Sequence, residues 1–361
     1  MGLTSLLNLG AIINSVMNSS NWRYQLKGDP LPWLLEENQP EVRYLTLRDL
    51  MDKSSEDPEL RRAKEACYRN GATAQILQEM NPQGYWVKSG PGYNPKYRGI
   101  VWSIIMLAQI GAEYQMDGRI HTACNYLAEN NLTAIGAFSV NGTPSGTVDC
   151  LQGNLCAALT DLGWEDPRLN IAFEWMARTV TGEGIAPKEE KSAERRFYAY
   201  KSGPNFACGP NHCAWGAVKV MLAFAKLSSS KRTHLIQQAI QMGVDFLLSV
   251  DPATARYPTK PVTPNRSWWK FGFPIFYVTD ILQIVEVLTL LGYGQDPRLK
   301  NALELVLSKQ DETGRWPLEY SYQGKTWIDW GETGKANKWV TLRVLRLLKN
   351  VDLIAPSNPE L

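Results

Sequence analysis

Two short segments of the chain concentrate side chains that could do chemistry. One reads Gly-Thr-Val-Asp-Cys at positions 146–150, and the other reads Cys-Gly-Pro-Asn-His-Cys-Ala-Trp at positions 208–215. They supply a carboxyl group, three thiols and an imidazole, on Asp149, Cys150, Cys208, Cys213 and His212. Zinc in proteins is held by about four Cys, His or acidic ligands. One interpretation is a zinc site formed by Cys150, Cys208, His212 and Cys213, with Asp149 as a catalytic carboxylate.

The spacing leaves two other interpretations of these thiols open. Four residues separate Cys208 from Cys213, which is at the long end of zinc-ligand spacings. The thiols could instead be small buried packing groups. They could also form a reactive thiol or a local disulfide, since a helix N-terminus favours the thiolate.

A second group of candidates is acidic and lies among aromatic residues. Asp280 follows shortly after an aromatic pair, and Asp329 lies between two tryptophans. A carboxyl group in apolar surroundings has a raised pKa and can act as a general acid. We therefore predict Asp280 and Asp329 as catalytic residues beside Asp149. The alternative is a structural role in a helix cap or an ion pair. The basic candidates for such a pair are Lys270, Arg98 and Lys338.

Aromatic residues are the third set of candidates, and the chain contains 13 tryptophans. Aromatic faces line apolar pockets and stabilise cations. The residues predicted to contact a substrate are Tyr97, Trp102, Trp215, Trp269, Phe276, Tyr277, Trp330 and Trp339. Two loop-like segments, 88–97 and 181–204, are expected to cover the mouth of the site.

A repeat positions these candidates. An apolar helix, a turn that often reads Leu-Gly or Ile-Gly, and a second helix opened by an Asp recur along the chain. Asp caps the free N–H groups of a helix start, and Gly suits the end of the preceding helix. The opening residues are Asp57, Asp117, Asp166 and Asp296, and a missing copy is expected near Lys231. The repeat predicts six helical hairpins that bury their apolar faces by stacking.

The two helices of each hairpin differ in character. The first is apolar on most faces, as in the segment 100–110, and the second is amphipathic, as in the segment 296–309. A helix that is apolar all round is buried. We therefore predict an all-α (α/α)6 toroid over residues 39–352. A docking helix and linker at 1–38 precede it, and a tail at 353–361 follows. All six inner helices would begin at one rim, where the candidate residues converge.

Bulk composition limits the classes of partner. The chain has 38 basic and 36 acidic residues, a net charge of +2, and no block of like charge, so no nucleic-acid partner is predicted.

No segment is suited to span a bilayer, and the amphipathic segment Met1–Met17 is expected to dock on the toroid, with a membrane surface as the alternative. That segment lacks the features of a secretory signal. We expect a cytoplasmic protein with reduced cysteines, and the oligomeric state stays open.

One turn carries a resemblance to a known family. The segment Gln310–Trp316 follows the pattern Gln-x3-Gly-x-Trp, and the segment Met80–Trp86 is a second copy with Met in place of Gln. On these motifs the chain resembles the squalene cyclase and protein prenyltransferase repeat superfamily over residues 40–350, and most of all its single-toroid, squalene cyclase-like bacterial members. The resemblance implies an α/α toroid and an isoprenoid-like substrate.

Several motifs of that superfamily are absent from the sequence. The Asp-x-Asp-Asp motif with which class II terpene cyclases protonate an alkene does not occur, and neither does the Asp-Asp-x-x-Asp magnesium motif. Asp149-Cys150 lacks the spacer of the Asp-x-Cys zinc pair in prenyltransferase β-subunits. The region of the family's third ligand reads Gly334-Lys335-Ala336-Asn337-Lys338-Trp339, without a His.

These observations favour an enzyme that acts on a hydrophobic, isoprenoid-like small molecule in an aromatic cavity. Cyclisation, isomerisation or dehydration by a general acid are the expected reactions, and zinc at the rim is the one cofactor considered. A non-catalytic binding or scaffold toroid is the first alternative. A carbohydrate-active lyase or hydrolase is the second, and it would require a pair of carboxylates about 5–10 Å apart.

Overall fold

The structure is a computed structural model that describes residues 21–199, 201–257 and 264–354. The protein is predominantly helical, with 53% helix and 5% strand, so the predicted all-α class is confirmed. The predicted docking helix at Met1–Met17 lies outside the described residues, as does the predicted tail after Ile354. Within the described ranges, no helix combines the length and apolarity that a membrane span needs.

The helices follow the order that the repeat predicts. In chain order they are α1 (Leu31–Leu34), α2 (Pro40–Asp49), α3 (Pro58–Arg69), α4 (Ala72–Gln78), α5 (Ile100–Gln109), α6 (Gly118–Asn131), α7 (Asp149–Leu162), α8 (Pro167–Thr181), α9 (Ala214–Lys226), α10 (His234–Leu247), α11 (Ile281–Leu288), α12 (Lys300–Ser308) and α13 (Lys338–Ile354). A short antiparallel hairpin of β1 (Ala207–Cys208) and β2 (Asn211–His212) precedes α9.

Side-chain caps begin the second helices at the predicted positions. Asp57, Asp117 and Asp166 each accept a hydrogen bond, at 2.8 to 2.9 Å, from the backbone N–H two residues further on. Asp296 does the same at 2.9 Å in the short 3-10 turn before α12. In the pair without an opening Asp, Thr233 caps α10 by accepting from the Ile236 N–H at 3.3 Å. Each such cap stabilises its helix by about 1 kcal/mol.

The helices pack as hairpins in sequence order. Five pairs contact each other as neighbours: α2 with α3, α5 with α6, α7 with α8, α9 with α10, and α11 with α12. The first helices of the hairpins also contact one another in succession. Helix α5 contacts α7, α7 contacts α9, α9 contacts α11, α11 contacts α13, and α13 contacts α2. Leu45 of α2 lies against Gly111, just beyond α5. The sixth predicted hairpin differs, because α13 packs against α1, α2 and the 3-10 turn Asn21–Gln25, and the described chain ends with it.

The tryptophans of the two matching turns have the same role. The indole N–H of Trp86 donates to the Ile76 carbonyl, and that of Trp316 donates to the Val306 carbonyl, both at 2.7 Å. Both indoles are fully buried. Each tryptophan therefore fastens its turn to the helix ten residues earlier. These residues hold the helices together and do not belong to a site.

The helices α7 and α9 approach each other closely in the core. A methyl group added to Gly153 would lie 2.3 Å from the backbone carbonyl carbon of Lys219, so the two backbones meet without an intervening side chain. This approach brings the N-termini of α7 and α9 together, and these are the two helix starts that carry Asp149 and Cys213.

Substitution of Gly153 is a direct test of this approach. We expect Gly153→Ala to destabilise the protein by about 1–3 kcal/mol, because the rigid backbone of α9 would have to move. Gly118→Ala is the matched control, since nothing lies within 4 Å of its added methyl group, and we expect it to be neutral or slightly stabilising. Urea unfolding of both variants provides the measurement. Equal stabilities would contradict the close packing.

Candidate functional site

A cavity of about 670 Å³ lies where α7 and α9 begin. It is lined by residues from the two helix starts, from the β1–β2 hairpin and from the loops before α5, α7 and α11. The lining residues are Tyr93, Lys96, Val140, Asn141, Ser145, Gly146, Thr147, Val148, Asp149, Cys150, Lys201, Cys208, Cys213, Trp215, Gly216 and Tyr277. We call it the Asp149 cavity. It brings together Asp149 and the three predicted thiol residues from segments that are about 60 residues apart in the sequence.

Asp149 is the single acidic residue among the described residues that line this cavity. It is the first residue of α7, and its backbone N–H donates to the Lys201 carbonyl at 3.2 Å. The side chain is buried, and loss of hydration raises the pKa of its carboxyl group to about 7, against the opposing effect of a hydrogen bond from Ser202. The nearby Cys208 thiolate raises the pKa further. Near neutral pH the group therefore exists in both protonation states.

Gly216 lets the two helix starts approach. A methyl group on Gly216 would lie 3.2 Å from the β-carbon of Asp149 and 3.7 Å from the β-carbon of Cys213. The Cys213 sulfur caps α9 by accepting from the Gly216 N–H at 3.3 Å. A larger residue at 216 would therefore require Asp149 to shift.

The three cavity thiols differ in acidity. The Cys213 thiol acts as a hydrogen-bond donor to Cys208 and lowers the pKa of Cys208 to about 6, and Lys201 contributes in the same direction. The same hydrogen bond raises the pKa of Cys213 above its ordinary range. Burial raises the pKa of Cys150 to about 11. Cys208 is therefore the thiol that ionises first.

The four predicted zinc ligands do not converge. The three cysteines line the cavity, but His212 does not. Its Nδ1 lies 2.7 Å from the Asn205 carbonyl, and its ring packs on Phe246 with centroids 5.9 Å apart. Over residues 21–199, 201–257 and 264–354, no three His, Cys, Asp or Glu side chains are grouped so as to hold a metal ion. This corrects the expected geometry, because His212 lies on the strand β2 and turns toward the hairpin's other face.

Asp280 is placed differently from the predicted catalytic acid. It caps α11 by accepting from the Gln283 N–H at 2.8 Å. Arg343 of α13 donates to both of its carboxylate oxygens, at 3.0 and 3.2 Å. Asp280 is buried but does not line the Asp149 cavity. Of the two interpretations, the structural role of cap and ion pair is therefore the observed one, with Arg343 in place of the basic partners considered from sequence.

Asp329 also lies outside the Asp149 cavity. The residue is exposed, and its carboxylate accepts from the Gly331 N–H at 3.0 Å in a local turn. The expectation that its tryptophan neighbours would bury it is corrected. Trp330 is buried, and its indole N–H donates to the Thr326 hydroxyl at 3.1 Å, whereas Asp329 is exposed to solvent.

Two of the eight predicted substrate-binding aromatics line the cavity, and they are Trp215 and Tyr277. Three others pack on one another beside it: Tyr97 and Trp102 have ring centroids 5.3 Å apart, and Phe276 lies edge-on to Trp102 at 5.2 Å. The Tyr97 and Tyr277 hydroxyls are 3.1 Å apart. This cluster supports the wall that Tyr277 presents to the cavity.

The remaining three predicted aromatics lie elsewhere. Trp269 donates to the Ala253 carbonyl at 2.8 Å. Trp330 and Trp339 pack around Phe273, and the Phe273 and Trp339 rings are stacked at 4.5 Å. Trp330 and Trp339 are buried, and Trp339 lines the second cavity described below, whereas Trp269 is half-buried in a short 3-10 turn. An apolar residue in the sequence is equally compatible with a core or a pocket position.

Several residues of the site were not among the predicted site residues, and four of them come from the two predicted covering loops. Tyr93 and Lys96 come from the loop 88–97, and Lys201 and Ser202 come from the end of the loop 181–204. Both loops were expected to cover the mouth of the site, and each does supply lining residues. Their loop position was the available signal, but individual contacts in irregular segments follow no periodic pattern.

A second cavity, of about 610 Å³, is lined by α2, α5, α7, α9, α11 and α13. Its charged side chains form ion pairs. Arg343 bonds to Glu286 at 2.7 Å, Lys226 to Asp161 at 2.9 Å, and both Arg48 and Arg346 to Asp49. We call it the Arg343 cavity. Its charges compensate each other, and no reactive group stands out there.

Comparison with solved structures finds remote matches. The chain is similar to a protein from Actinoplanes, with 14% identity and a TM-score of 0.32, over 77% of this chain and 97% of that one. It is also similar to the type II terpene cyclase MstE from Scytonema in complex with geranylgeranyl dihydroxybenzoate, with 13% identity and a TM-score of 0.29, over 78% and 96% of the two chains. An apo structure of an MstE variant is also similar, with 14% identity and a TM-score of 0.29, over 78% of this chain and 95% of that one.

No protein-family model matches the chain, and no curated protein matches it. TM-scores as low as those of the solved structures do not establish a shared fold. The function therefore has to be inferred from the Asp149 cavity and its residues.

Proposed function

We propose that this protein is an enzyme that acts on a hydrophobic, isoprenoid-like small molecule in the Asp149 cavity, with Asp149 as the general acid. We further propose that the six helices around the Arg343 cavity form the inner ring of an (α/α)6 toroid. Their succession of contacts supports this arrangement. In such a ring the N-termini of α7, α9 and α11 share one rim, where the Asp149 cavity lies.

The desolvated Asp149 carboxyl is the observation that carries the proposal. A general acid works best when its pKa is near the working pH, and burial raises the pKa of Asp149 to about 7. None of the groups that shift this pKa is a cation. By contrast, both carboxylate oxygens of Asp280 accept hydrogen bonds from Arg343. Asp149 is therefore the carboxyl group that can hold a proton and release it to a ligand.

The cavity wall suits an apolar ligand. Tyr93, Trp215 and Tyr277 provide aromatic surface, and Val140 and Val148 provide aliphatic surface. The ammonium group of Lys96 lies 5.6 Å from the Tyr93 ring and 5.0 Å from the Tyr277 ring. These rings thus already face a positive charge, and they could stabilise positive charge that develops on a substrate.

The acidity of Asp149 limits the reaction. A carboxylic acid whose pKa is near 7 is a weak acid, and it is poorly suited to protonate an isolated alkene. Protonation of a departing hydroxyl group requires far less acid strength, since the oxygen is much more basic than a carbon–carbon double bond. We therefore propose acid-assisted dehydration or isomerisation of an isoprenoid alcohol, with any cyclisation following from the resulting allylic cation.

The alternatives have less support. A two-carboxylate hydrolase or lyase needs a second acidic group, and Asp149 is the one acidic side chain that lines the cavity in the described ranges. A non-catalytic binding protein would use the same wall, and the test below distinguishes it from an enzyme.

The test uses farnesol and geranylgeraniol as probes, with products followed by gas chromatography and mass spectrometry. We expect conversion by the parent, with a rate that falls as pH rises through about 7. Asp149→Asn should lower the rate by roughly 10²–10⁴-fold. Glu304→Gln, an exposed change on α12, should leave it unchanged. Equal rates in the parent and Asp149→Asn would contradict the assignment. Saturable binding of the probes without conversion would favour the binding protein.

A further inference from the structure

We propose that Cys208 and Cys213 are a reversible dithiol pair on the wall of the Asp149 cavity, a thiol modification site that closes to an intramolecular disulfide by exchange with a low-molecular-weight disulfide. This inference does not depend on the proposed reaction. It rests on the placement of the two thiols in the β1–β2 hairpin and on their access from the cavity.

The hairpin places both thiols on one face. Ala207 pairs with His212 and Cys208 with Asn211. The Cys213 N–H donates to the Phe206 carbonyl at 2.9 Å and extends the ladder by one residue. Cys208 opposes Asn211, and Cys213 follows Asn211 by two residues in extended backbone, with φ −123° and ψ 103°. Because strand residues alternate between faces, the two thiols share the face that lines the cavity.

The two thiols are also accessible, unlike three of the other cysteines. Cys208 and Cys213 are half-buried, whereas Cys67, Cys124 and Cys156 are buried in the core. Cys208 pairs with Asn211, two residues before Cys213, so the two cysteines are diagonal neighbours on the hairpin, and both line the same cavity. A dissolved disulfide can therefore reach Cys208 with a second thiol already beside it.

The reaction proceeds in two balanced steps. The Cys208 thiolate attacks one sulfur of the disulfide, which forms a mixed disulfide on Cys208 and releases one thiolate. Cys213 then loses its proton and attacks the Cys208 sulfur, which forms the intramolecular bond and releases the second thiolate. The two protein thiols are oxidised, and the external disulfide is reduced to two thiols. The lowered pKa of Cys208, caused by Cys213 and Lys201, favours the first step near neutral pH.

Formation of the disulfide would change both the neighbouring Asp149 carboxyl group and the start of α9. The Cys208 thiolate raises the pKa of the Asp149 carboxyl, and a disulfide carries no charge. The Cys213 sulfur also caps α9 through the Gly216 N–H. Closure of the disulfide therefore lowers the pKa of Asp149 and alters the start of α9, which makes the cavity responsive to the thiol–disulfide balance.

The test treats the full chain with glutathione disulfide and examines it by intact mass spectrometry and peptide mapping. We expect the parent to lose two hydrogens, with the bond between Cys208 and Cys213. Cys213→Ser should stop at a glutathione adduct on Cys208, and Cys208→Ser should form no bond. Cys150→Ser changes the third cavity thiol and should still close. Retention of free Cys208 and Cys213 in the parent, or a bond to Cys150 instead, would overturn the proposal.

A second measurement needs no variant. Alkylation of Cys208 by iodoacetamide in the parent should rise with pH around about 6. At pH 6.5 it should be roughly fivefold faster than alkylation of free glutathione, since a larger thiolate fraction outweighs the lower nucleophilicity. Alkylation of Cys208 only above pH 8, at the rate of an ordinary thiol, would contradict the pairing.

Discussion

Asp149→Asn is expected to be more stable than the parent at pH 8 by a few kcal/mol, and close to the parent in stability at pH 4. In the unfolded chain an Asp is ionised above about pH 4, whereas in the folded protein Asp149 keeps its proton until about pH 7. Between these values the folded state binds more protons, so the free energy of unfolding of the parent falls as pH rises. Each pKa unit corresponds to about 1.4 kcal/mol.

Urea unfolding at several pH values measures this effect. Asn does not titrate and keeps the shape of Asp, so the difference between the variant and the parent should grow through the window from about pH 4 to 7 and then level off. The other ionisable side chains that line the cavity are present in both proteins, so their own contributions largely cancel; they are Tyr93, Lys96, Cys150, Lys201, Cys208, Cys213 and Tyr277. A constant difference across this window would show that Asp149 is hydrated and would remove the basis for its role as a general acid.

Arg343→Met is expected to destabilise the protein by about 3–5 kcal/mol at neutral pH. The guanidinium group binds Asp280 at 3.0 and 3.2 Å, Glu286 at 2.7 and 3.0 Å, and the Gly272 carbonyl at 2.9 Å. Its removal would leave two acidic groups without their cation, one of them fully buried, and Met fills much of the same volume. Burial already raises the pKa of Glu286 despite Arg343.

Thermal and urea unfolding of this variant provide the measurement, and Lys300→Met on the surface of α12 is the control. Lys300 forms an exposed pair with Glu304 at 3.9 Å, so its loss should cost less than about 0.5 kcal/mol. Arg343→Met combined with Asp280→Asn and Glu286→Gln should recover part of the lost stability, because no unpaired charge remains. An Arg343→Met variant as stable as the control would contradict the structural role assigned to Asp280.

The helical plan of the protein could be predicted because its signals are local. Asp57, Asp117 and Asp166 cap helices through N–H groups two residues away, so the residue type and its position suffice. Trp86 and Trp316 likewise act within ten residues of their partners. The hydrophobic faces then predict which helix of each pair is buried. The closing of the last hairpin could not be predicted this way, because α13 packs on the distant N-terminal helices.

The site was predicted in part. Asp149, Cys150, Cys208 and Cys213 were expected to be neighbours because they begin adjacent inner helices, and they do line one cavity. The placement of the other candidates depends on partners that no repeat specifies. Arg343, 63 residues after Asp280, neutralises that carboxylate, and the Asn205 carbonyl and Phe246 hold His212 away from the thiols. No periodicity or spacing predicts such pairs.

Local sequence was thus enough for the type, order and capping of the helices, because hydrogen bonds over two or three residues and one-sided burial govern them. Tertiary structure alone decided the surroundings of the three candidate carboxyl groups. Asp149, Asp280 and Asp329 look alike in sequence, yet one is desolvated without a cation, one is paired with Arg343, and one is exposed. The acidity of a carboxyl group depends on the water and charge around it, and those are properties of the folded chain.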